Sequence, residues 1–134
     1  MGVSASNGAV TARDAGVRSF PLSRAVRLLA PAGDLDLYVS GDLRQQIFSA
    51  VADGVERLVV DLLDVTFIDS TALGVLADAA KRLRANAGSL AIVCRDRNIL
   101  KVLEITGLSR LFRIYDSIPE AISEGRRLVR GAAV

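Results

Sequence analysis

Apolar residues along the chain form two patterns. One is the short continuous run typical of buried strands, and the other is the spacing of three or four residues typical of amphipathic helices. Short, continuous apolar runs rich in branched residues, such as Leu58-Val59-Val60 and residues 89–94, predict strands buried on both faces. Between these runs, apolar residues recur every three or four positions, which predicts helices packed on a sheet. The resulting order, ββαβαβαβα, predicts one α/β domain with a small mixed sheet of four to five strands and about four helices.

The first predicted helix follows two short strands at the start of the domain. Its apolar residues fall on one helical face: Leu43, Ile47, Ala50 and Val51. Ser40 is a suitable N-cap for this helix, Asp42 suits its first turn, and Gly54 is a suitable stop after it.

Three further helices are each marked by residues that start or stop a helix. The second has apolar residues at Leu73, Leu76, Ala80 and Leu83. We expect it to end at Gly88, and we expect the third helix to run from a cap at Asp96 to Gly107. Ser117 and Glu120 form an S-x-x-E capping box that predicts the start of the fourth helix. Residues 1–16 are predicted to be a flexible tail, residues 17–130 the domain, and residues 131–134 a frayed end.

Composition removes several classes of function. The chain has 134 residues with 17 basic and 15 acidic side chains, so its net charge of +2 does not mark a nucleic-acid-binding protein. It has no His, which excludes Ser-His and Cys-His nucleophile pairs and His-based metal sites. Cys94 is the single cysteine, so an internal disulfide is impossible and a reducing compartment is expected. No apolar run approaches the length needed to cross a membrane.

Charged residues offer only weak candidates for chemistry. Four carboxylates lie near predicted strand ends: Asp34, Asp36, Asp61 and Asp69. Such groups can hold Mg²⁺ or act as acid and base, but no phosphate-binding loop or other companion motif accompanies them. We therefore favour roles in capping helices and solvating loops. Basic residues lie on two predicted helices, at Lys81, Arg82, Arg84, Arg126, Arg127 and Arg130, and solvated helix faces explain them better than nucleic-acid binding.

The stretch VTFIDSTALGVL (65–76) places Asp69, Ser70 and Thr71 where a strand turns into a helix. The simplest interpretation is that Asp69 or Ser70 caps the helix by accepting its first free N–H groups. The same exposed corner would also suit a modification site. A phosphate on Ser70 would meet unpaired N–H groups and the positive end of the helix dipole.

Four segments together resemble the STAS domain of bacterial anti-sigma factor antagonists. They are GDLDLYVSGDL, VVDLLDVTFIDSTALGVL, GSLAIVC and VLEITGLSRLFRIYDSIPEAI, within a span from about Ser19 to Leu128. Residues 33–36 resemble the family's G-[ED]-x-D turn, and residues 69–74 resemble its D-S-[ST]-G-L-G loop. The resemblance implies the small mixed α/β fold described above.

The resemblance also implies a function without enzymatic activity, cofactor or metal. It implies that Ser70 is phosphorylated by a partner that is both an anti-sigma factor and a serine kinase of the GHKL ATPase type. Asp36, Asp69 and Thr71 would form the docking surface around Ser70. The unphosphorylated protein would bind the kinase and free the sigma factor, and a phosphatase would reset the switch. The expected location is the cytoplasm, with no direct nucleic-acid binding and no membrane insertion.

Ala72 departs from the motif, because the family usually has Gly at this position. Since Ala is the better helix former, we expect a slightly stiffer helix start, and the efficiency of phosphorylation is the property on which this departure bears. Two other functions stay open at this point: a STAS subunit of a lipid-transport ATPase complex, and a small-molecule or nucleotide sensor that uses the corner formed by Asp36 and Ser70. A hydrolase with a Ser/Asp pair is disfavoured by the missing base.

Overall fold

The computed structural model describes residues 16–123, which form seven strands and three complete helices. The strands are β1 (Val17–Pro21), β2 (Val26–Pro31), β3 (Gly33–Leu35), β4 (Arg57–Asp61), β5 (Val65–Ile68), β6 (Ser89–Val93) and β7 (Arg113–Tyr115). The helices are α1 (Leu37–Ala52), α2 (Ser70–Ala85) and α3 (Arg97–Ile105), followed by a 3₁₀ turn at Leu108–Arg110. A fourth helix begins at residue 118. The predicted tail, apart from Gly16, and the residues after 123 lie outside the described range.

Five strands form the main sheet in the order β1-β2-β4-β6-β7. β1 and β2 pair antiparallel, and each of the following pairs is parallel. The central strand β4 is buried along its whole length, as its continuous apolar run indicates. The predicted mixed sheet is therefore confirmed.

β3 and β5 form a separate two-stranded parallel sheet that the predicted element order did not contain. These strands have only three and four residues. A segment as short as β3 carries too few side chains to show a period of two, so the sequence pattern could not separate it from a loop. β5 was predicted as the strand before the second helix, but its pairing with β3 was not predicted. This small sheet places the starts of α1 and α2 side by side.

The predicted start of α1 was wrong. The helix begins at Leu37 with Asp36 as its N-cap, whereas Ser40 lies buried inside the first turn and donates a hydrogen bond to the Leu37 carbonyl oxygen at 3.1 Å. The exposed apolar residues at the true start concealed it, because amphipathic spacing becomes visible only from Leu43 onward. The predicted inner face is otherwise confirmed, since Leu43, Ile47 and Ala50 are buried.

The end of α2 also differs from the prediction. The helix ends at Ala85, and the left-handed backbone conformation after it belongs to Ala87, with φ of 61°. Gly88 is needed for a different reason. A Cβ atom on Gly88 would lie 2.7 Å from the Glu56 carbonyl oxygen, closer than real contacts allow. Gly88 thus permits a close approach of two chain segments.

The predicted limits of α3 and the predicted start of the fourth helix are confirmed. Asp96 accepts hydrogen bonds from the amide groups of Asn98 and Ile99 at 2.9 and 3.0 Å, and Gly107 has φ of 80°. At the next helix start, the Glu120 amide donates to the Ser117 hydroxyl at 3.3 Å. The predicted capping box therefore provides at least one of its two bonds.

The core lies on both faces of the main sheet. On one face, α1, α2 and α3 cover β-strand residues such as Leu29, Leu58 and Ile92. On the other, Ala121 of the fourth helix packs near Leu28, Val59 and Val93. Cys94 is buried, and burial raises the pKa of its thiol, which is consistent with a core residue.

Candidate functional site

The small sheet brings Asp36 and Asp69 to the same edge of the molecule. Leu35, the last residue of β3, pairs with Ile68, the last residue of β5. The amide of Asp69 also donates to the Leu35 carbonyl oxygen at 3.3 Å. Because the strands are parallel, the residues that follow them leave the sheet together. Asp36 and Asp69 are therefore neighbours at the starts of two adjacent helices.

Both carboxylates cap the helices that they precede. Asp36 accepts hydrogen bonds from the amides of Tyr38 and Val39, each at 3.1 Å. Asp69 accepts from the amide of Ala72 at 2.9 Å. These bonds satisfy helix N–H groups that have no partner within the helix. Of the two residues that the sequence offered as caps for α2, Asp69 is the one that fills the role.

Ser70 and Thr71 form the first two residues of α2, and both are exposed. Within residues 16–123, no hydrogen bond engages either hydroxyl group. Because Asp69 provides the cap, the Ser70 hydroxyl is left accessible. We call Asp36, Asp69, Ser70 and Thr71 the capping corner. The structure brings together all four residues that the sequence proposed for partner binding.

Ala72 is fully buried beneath the capping corner. Its methyl group belongs to the main core, and its amide is held by Asp69. The departure from the family motif therefore adds a core contact at the helix start. Ala in a helix also restricts the backbone more than Gly does, so the expected stiffening has a structural basis.

The other two candidate carboxylates have structural roles: Asp34 joins the two strands of the small sheet, and Asp61 holds the turn after β4. Asp34 accepts a hydrogen bond from the Thr66 hydroxyl at 3.0 Å, and Asp61 accepts from the Leu63 amide at 2.9 Å. In the described part of the chain, no group of three or more acidic or Cys side chains is placed to hold a metal ion. The four carboxylates thus have structural partners in the protein backbone and side chains.

Three large apolar side chains are exposed around the capping corner, and the sequence analysis did not identify them. Leu37 and Tyr38, directly after Asp36, are 70% and 68% exposed, and Phe67 of β5 is 53% exposed. Phe67 lies opposite Asp34 in the small sheet. Large apolar residues grouped on a surface are typical of protein-protein contact sites.

Arg82, one of the basic residues of α2, has partners on the protein surface. Arg82 forms an ion pair with Asp78 at 2.8 Å, and its guanidinium lies 4.5 Å from the centre of the Phe48 ring. The hydrogen bond from Arg82, helped by Arg44 and Lys81, lowers the pKa of Asp78. This arrangement fits the predicted solvated helix face. Arg126, Arg127 and Arg130 lie outside the described residues.

Comparison with known proteins identifies the family to which this fold belongs. The family model of the STAS domain matches residues 21–121, which include every residue of the capping corner. The chain belongs to the STAS domain family. A STAS relative from Thermotoga maritima, provisionally named as an anti-sigma factor antagonist, is 32% identical over 103 residues, covering 76% of this chain and 91% of that protein.

Solved STAS structures agree with this assignment. An anti-sigma factor antagonist from Mycobacterium paratuberculosis superposes with a TM-score of 0.73 at 27% identity, covering 83% of this chain and 95% of that one. The Bacillus protein SpoIIAA has a similar fold in its phosphorylated form, with a TM-score of 0.68 at 22% identity over 81% of this chain and 98% of that one. At this identity the likeness to SpoIIAA concerns the fold alone.

The family assignment confirms the predicted fold and the prediction that this STAS protein is not an enzyme. STAS anti-sigma factor antagonists are regulators without enzymatic activity. Of the helices within residues 16–123, none has the length and apolar character required to cross a lipid bilayer.

Proposed function

We propose that this chain is an anti-sigma factor antagonist whose binding is controlled by phosphorylation of Ser70. The unphosphorylated protein binds a GHKL-type serine kinase that is also an anti-sigma factor, and sigma factor is released. Phosphorylation of Ser70 ends the complex, and a phosphatase restores the binding form. The observation that carries this proposal is the free, exposed Ser70 hydroxyl beside the Asp69 cap, in a STAS domain whose relatives are named as antagonists.

Accessibility of the hydroxyl supports Ser70 as the phosphate acceptor. A kinase must reach the oxygen atom, and Ser70 lies on the first turn of α2 with its side chain exposed. The phosphate would also face the N-terminus of α2, where free N–H groups and the helix dipole favour a negative charge. The fold can therefore accept the modification without rearrangement.

Charge at the capping corner supports release after phosphorylation. Phosphoserine adds about −1.5 to −2 charges at neutral pH, beside Asp69 and the neighbouring Asp36. A kinase surface that fits two carboxylates and a neutral hydroxyl would then face a much more negative site. Losing about 1.4 kcal/mol of binding energy lowers affinity tenfold, so a modest repulsion is sufficient.

The exposed apolar residues support the corner as a docking surface. Leu37, Tyr38 and Phe67 provide apolar area next to the hydroxyl that the kinase modifies. Burial of such side chains at the centre of an interface is a common source of binding energy. The names of the relatives favour this role over the lipid-transport and sensor alternatives. We place the protein in the cytoplasm, where the kinase and sigma factor act.

A pull-down from the native cell extract tests the proposal. Wild type and Ser70→Ala are expected to retain the same kinase, whereas Ser70→Glu should bind it at least about tenfold more weakly because of the added charge. After incubation of wild type with the recovered kinase and ATP, mass spectrometry should find one phosphate on Ser70.

Thr71→Ala is the matched control, because Thr71 is the adjacent exposed hydroxyl on the same helix turn. This variant should still be phosphorylated once, on Ser70. Phosphate on Thr71 or Thr66 in the wild type would contradict the assignment. So would a recovered kinase that binds Ser70→Glu as tightly as wild type.

A further inference from the structure

A cleft of about 340 Å³ lies away from the capping corner, at the amino ends of the strands of the main sheet. Arg57, Ser89 and Arg113 are the first residues of β4, β6 and β7, which run parallel to one another. Arg84 reaches the cleft from the last turn of α2, and Arg110 from the 3₁₀ turn. Ser70 and Arg84 are therefore separated by roughly 21 Å along the same helix.

Four arginines line this cleft, and no Asp or Glu is among the described residues that line it. The whole chain has 17 basic residues and a net charge of +2, so without these four arginines its net charge would be −2. Four of the 17 basic residues thus lie together in one concave site. Within residues 16–123, the ion pairs use other arginines, Arg27 and Arg82.

Arg57, which lines the cleft, has a buried positive charge with no negative partner within residues 16–123. Its residue is 2% exposed, and its guanidinium donates to the Ser89 hydroxyl, the Tyr115 hydroxyl and the Ala121 carbonyl oxygen at 2.9, 3.2 and 3.0 Å. All three acceptors are neutral. The Nε atom has no hydrogen-bond partner in the described part of the chain. A buried charge without a counter-charge is unfavourable, and a nearby anion would relieve this cost.

Other groups in the cleft suit a ligand that carries phosphate. The Ser89 oxygen accepts from Arg57, so the Ser89 hydrogen is still available for donation to a ligand. Arg84 donates to the Leu111 carbonyl oxygen at 3.4 Å, which places its guanidinium across the cleft between α2 and the segment that precedes β7. Guanidinium groups match the geometry of phosphate oxygens, and the volume is within the usual range of ligand sites, about 300–1,000 Å³.

We propose that this cleft binds a small ligand with two or more phosphate groups, held by Arg84, Arg110 and Arg113 over the buried charge of Arg57. The ligand is either a nucleotide or a free polyphosphate, since both carry the same chemistry. This site is separate from the capping corner, and the proposal does not depend on phosphorylation of Ser70.

Calorimetric titration of the purified chain with pyrophosphate, tripolyphosphate and ATP tests the proposal. The titrations are run at about 0.15 M salt, where the Debye length is about 8 Å and diffuse surface attraction is weak. We expect saturable binding with one site per chain. Tighter binding of ATP than of tripolyphosphate would identify a nucleotide site, and equal binding would identify a polyphosphate site. Absence of binding at millimolar concentrations would overturn the proposal, as would equal binding of sulfate and citrate.

Substitutions at the rim locate the site without disturbing the buried arginine. Arg110→Ala/Arg113→Ala should bind pyrophosphate at least tenfold more weakly than wild type. Arg95→Ala/Arg97→Ala is the matched control, because it removes the same charge from two exposed residues outside the cleft, near the other end of β6. Equal weakening by both double variants would mean that binding follows net charge, which would overturn the cleft as the site.

Nuclear magnetic resonance gives an independent position for the ligand. On addition of pyrophosphate, amide signals of Gly88, Ser89 and Leu111 should shift. Ser70→Glu should give the same shifts and the same affinity as wild type, so failure of the phosphorylation proposal would leave this one intact. Shifts confined to the capping corner would overturn the assignment to the cleft.

Discussion

The two ends of α2 carry charge in opposite ways. At the N-terminus, the acidic groups Asp36 and Asp69 lie near the surface, and each is satisfied by backbone N–H groups one turn away. Near the C-terminus of α2, Arg57 of β4 lines the same cleft as Arg84. Arg57 is buried and donates hydrogen bonds to side-chain and carbonyl groups of β6, β7 and the fourth helix. One end is built from local contacts, whereas the other depends on tertiary contacts.

Because of this difference, changes at the capping corner should affect function more than stability, whereas changes at Arg57 should affect stability. Loss of a helix cap removes one or two local hydrogen bonds, so residues of the capping corner can vary with limited effect on the fold. Loss of Arg57 removes bonds to three different elements at once. The capping corner can thus be altered by phosphorylation while the rest of the domain keeps its structure.

The largest expected effect is that of Arg57→Ala. It leaves two hydroxyl groups and one carbonyl oxygen without their donor and opens a cavity, so the free energy of unfolding should fall by about 2–4 kcal/mol. Asp69→Ala, at the other end of α2, should lower it by only about 1 kcal/mol. Urea unfolding followed by circular dichroism measures both. The contrast between the two ends would be wrong if Asp69→Ala were the more damaging change.

The same substitution at two glycines should have opposite effects. Gly88→Ala places a Cβ against the Glu56 carbonyl oxygen and should lower the free energy of unfolding by about 1–3 kcal/mol. Gly74→Ala, in the second turn of α2, meets no atom within 4 Å and should raise it by about 0.5–1 kcal/mol through better helix propensity. Thermal unfolding of the two variants provides the comparison. Equal changes of the same sign would refute the close approach at Gly88.

The smallest expected effect lies in the middle of α2. The pKa of Asp78 is lowered in the folded state, chiefly by its hydrogen bond to Arg82. The stabilisation is therefore present above the ordinary carboxyl pKa and is lost as the pH falls through the lowered value. Both side chains are about half exposed, at 42% and 50%, so the pair should contribute less than about 0.5 kcal/mol.

Asp78→Asn tests this small contribution. At neutral pH the variant should unfold at a slightly lower urea concentration than wild type, and the two should unfold together once the pH has fallen well below the lowered pKa of Asp78. Added salt should also reduce the difference at neutral pH, because the pair is exposed. A difference that grew in acid would show that another group is responsible.

The local signals in the sequence were sufficient for much of the fold. Asp96, Gly107 and Ser117 act where they were predicted to act, because caps and left-handed turns depend on residues a few positions apart. The start of α1 was missed because Leu37 and Tyr38 are apolar but exposed, which disguises the helix period. β3, and the pairing of β5 with it, were missed because this pairing joins distant short segments.

The capping corner and the arginine-lined cleft also differ in whether local sequence signals could predict them. Residues 69–71 were recognised as a corner because a strand and a helix meet there in the sequence itself. The arginine-lined cleft was not recognised, because Arg84, Arg110 and Arg113 are brought together only by the fold. Arg57 gave no signal, since Arg is rarely buried and its hydrogen-bond partners lie 32, 58 and 64 residues further along the chain.

These sequence distances have a consequence for the order of folding during synthesis. Contacts between distant residues carry a larger loop-closure entropy cost and require the later segment to be present. The capping corner has all its elements once α2 has been synthesised. The contacts of Arg57 are complete only after residue 121 has left the ribosome. We therefore expect the nascent chain to form the Ser70 corner first and to close around Arg57 last.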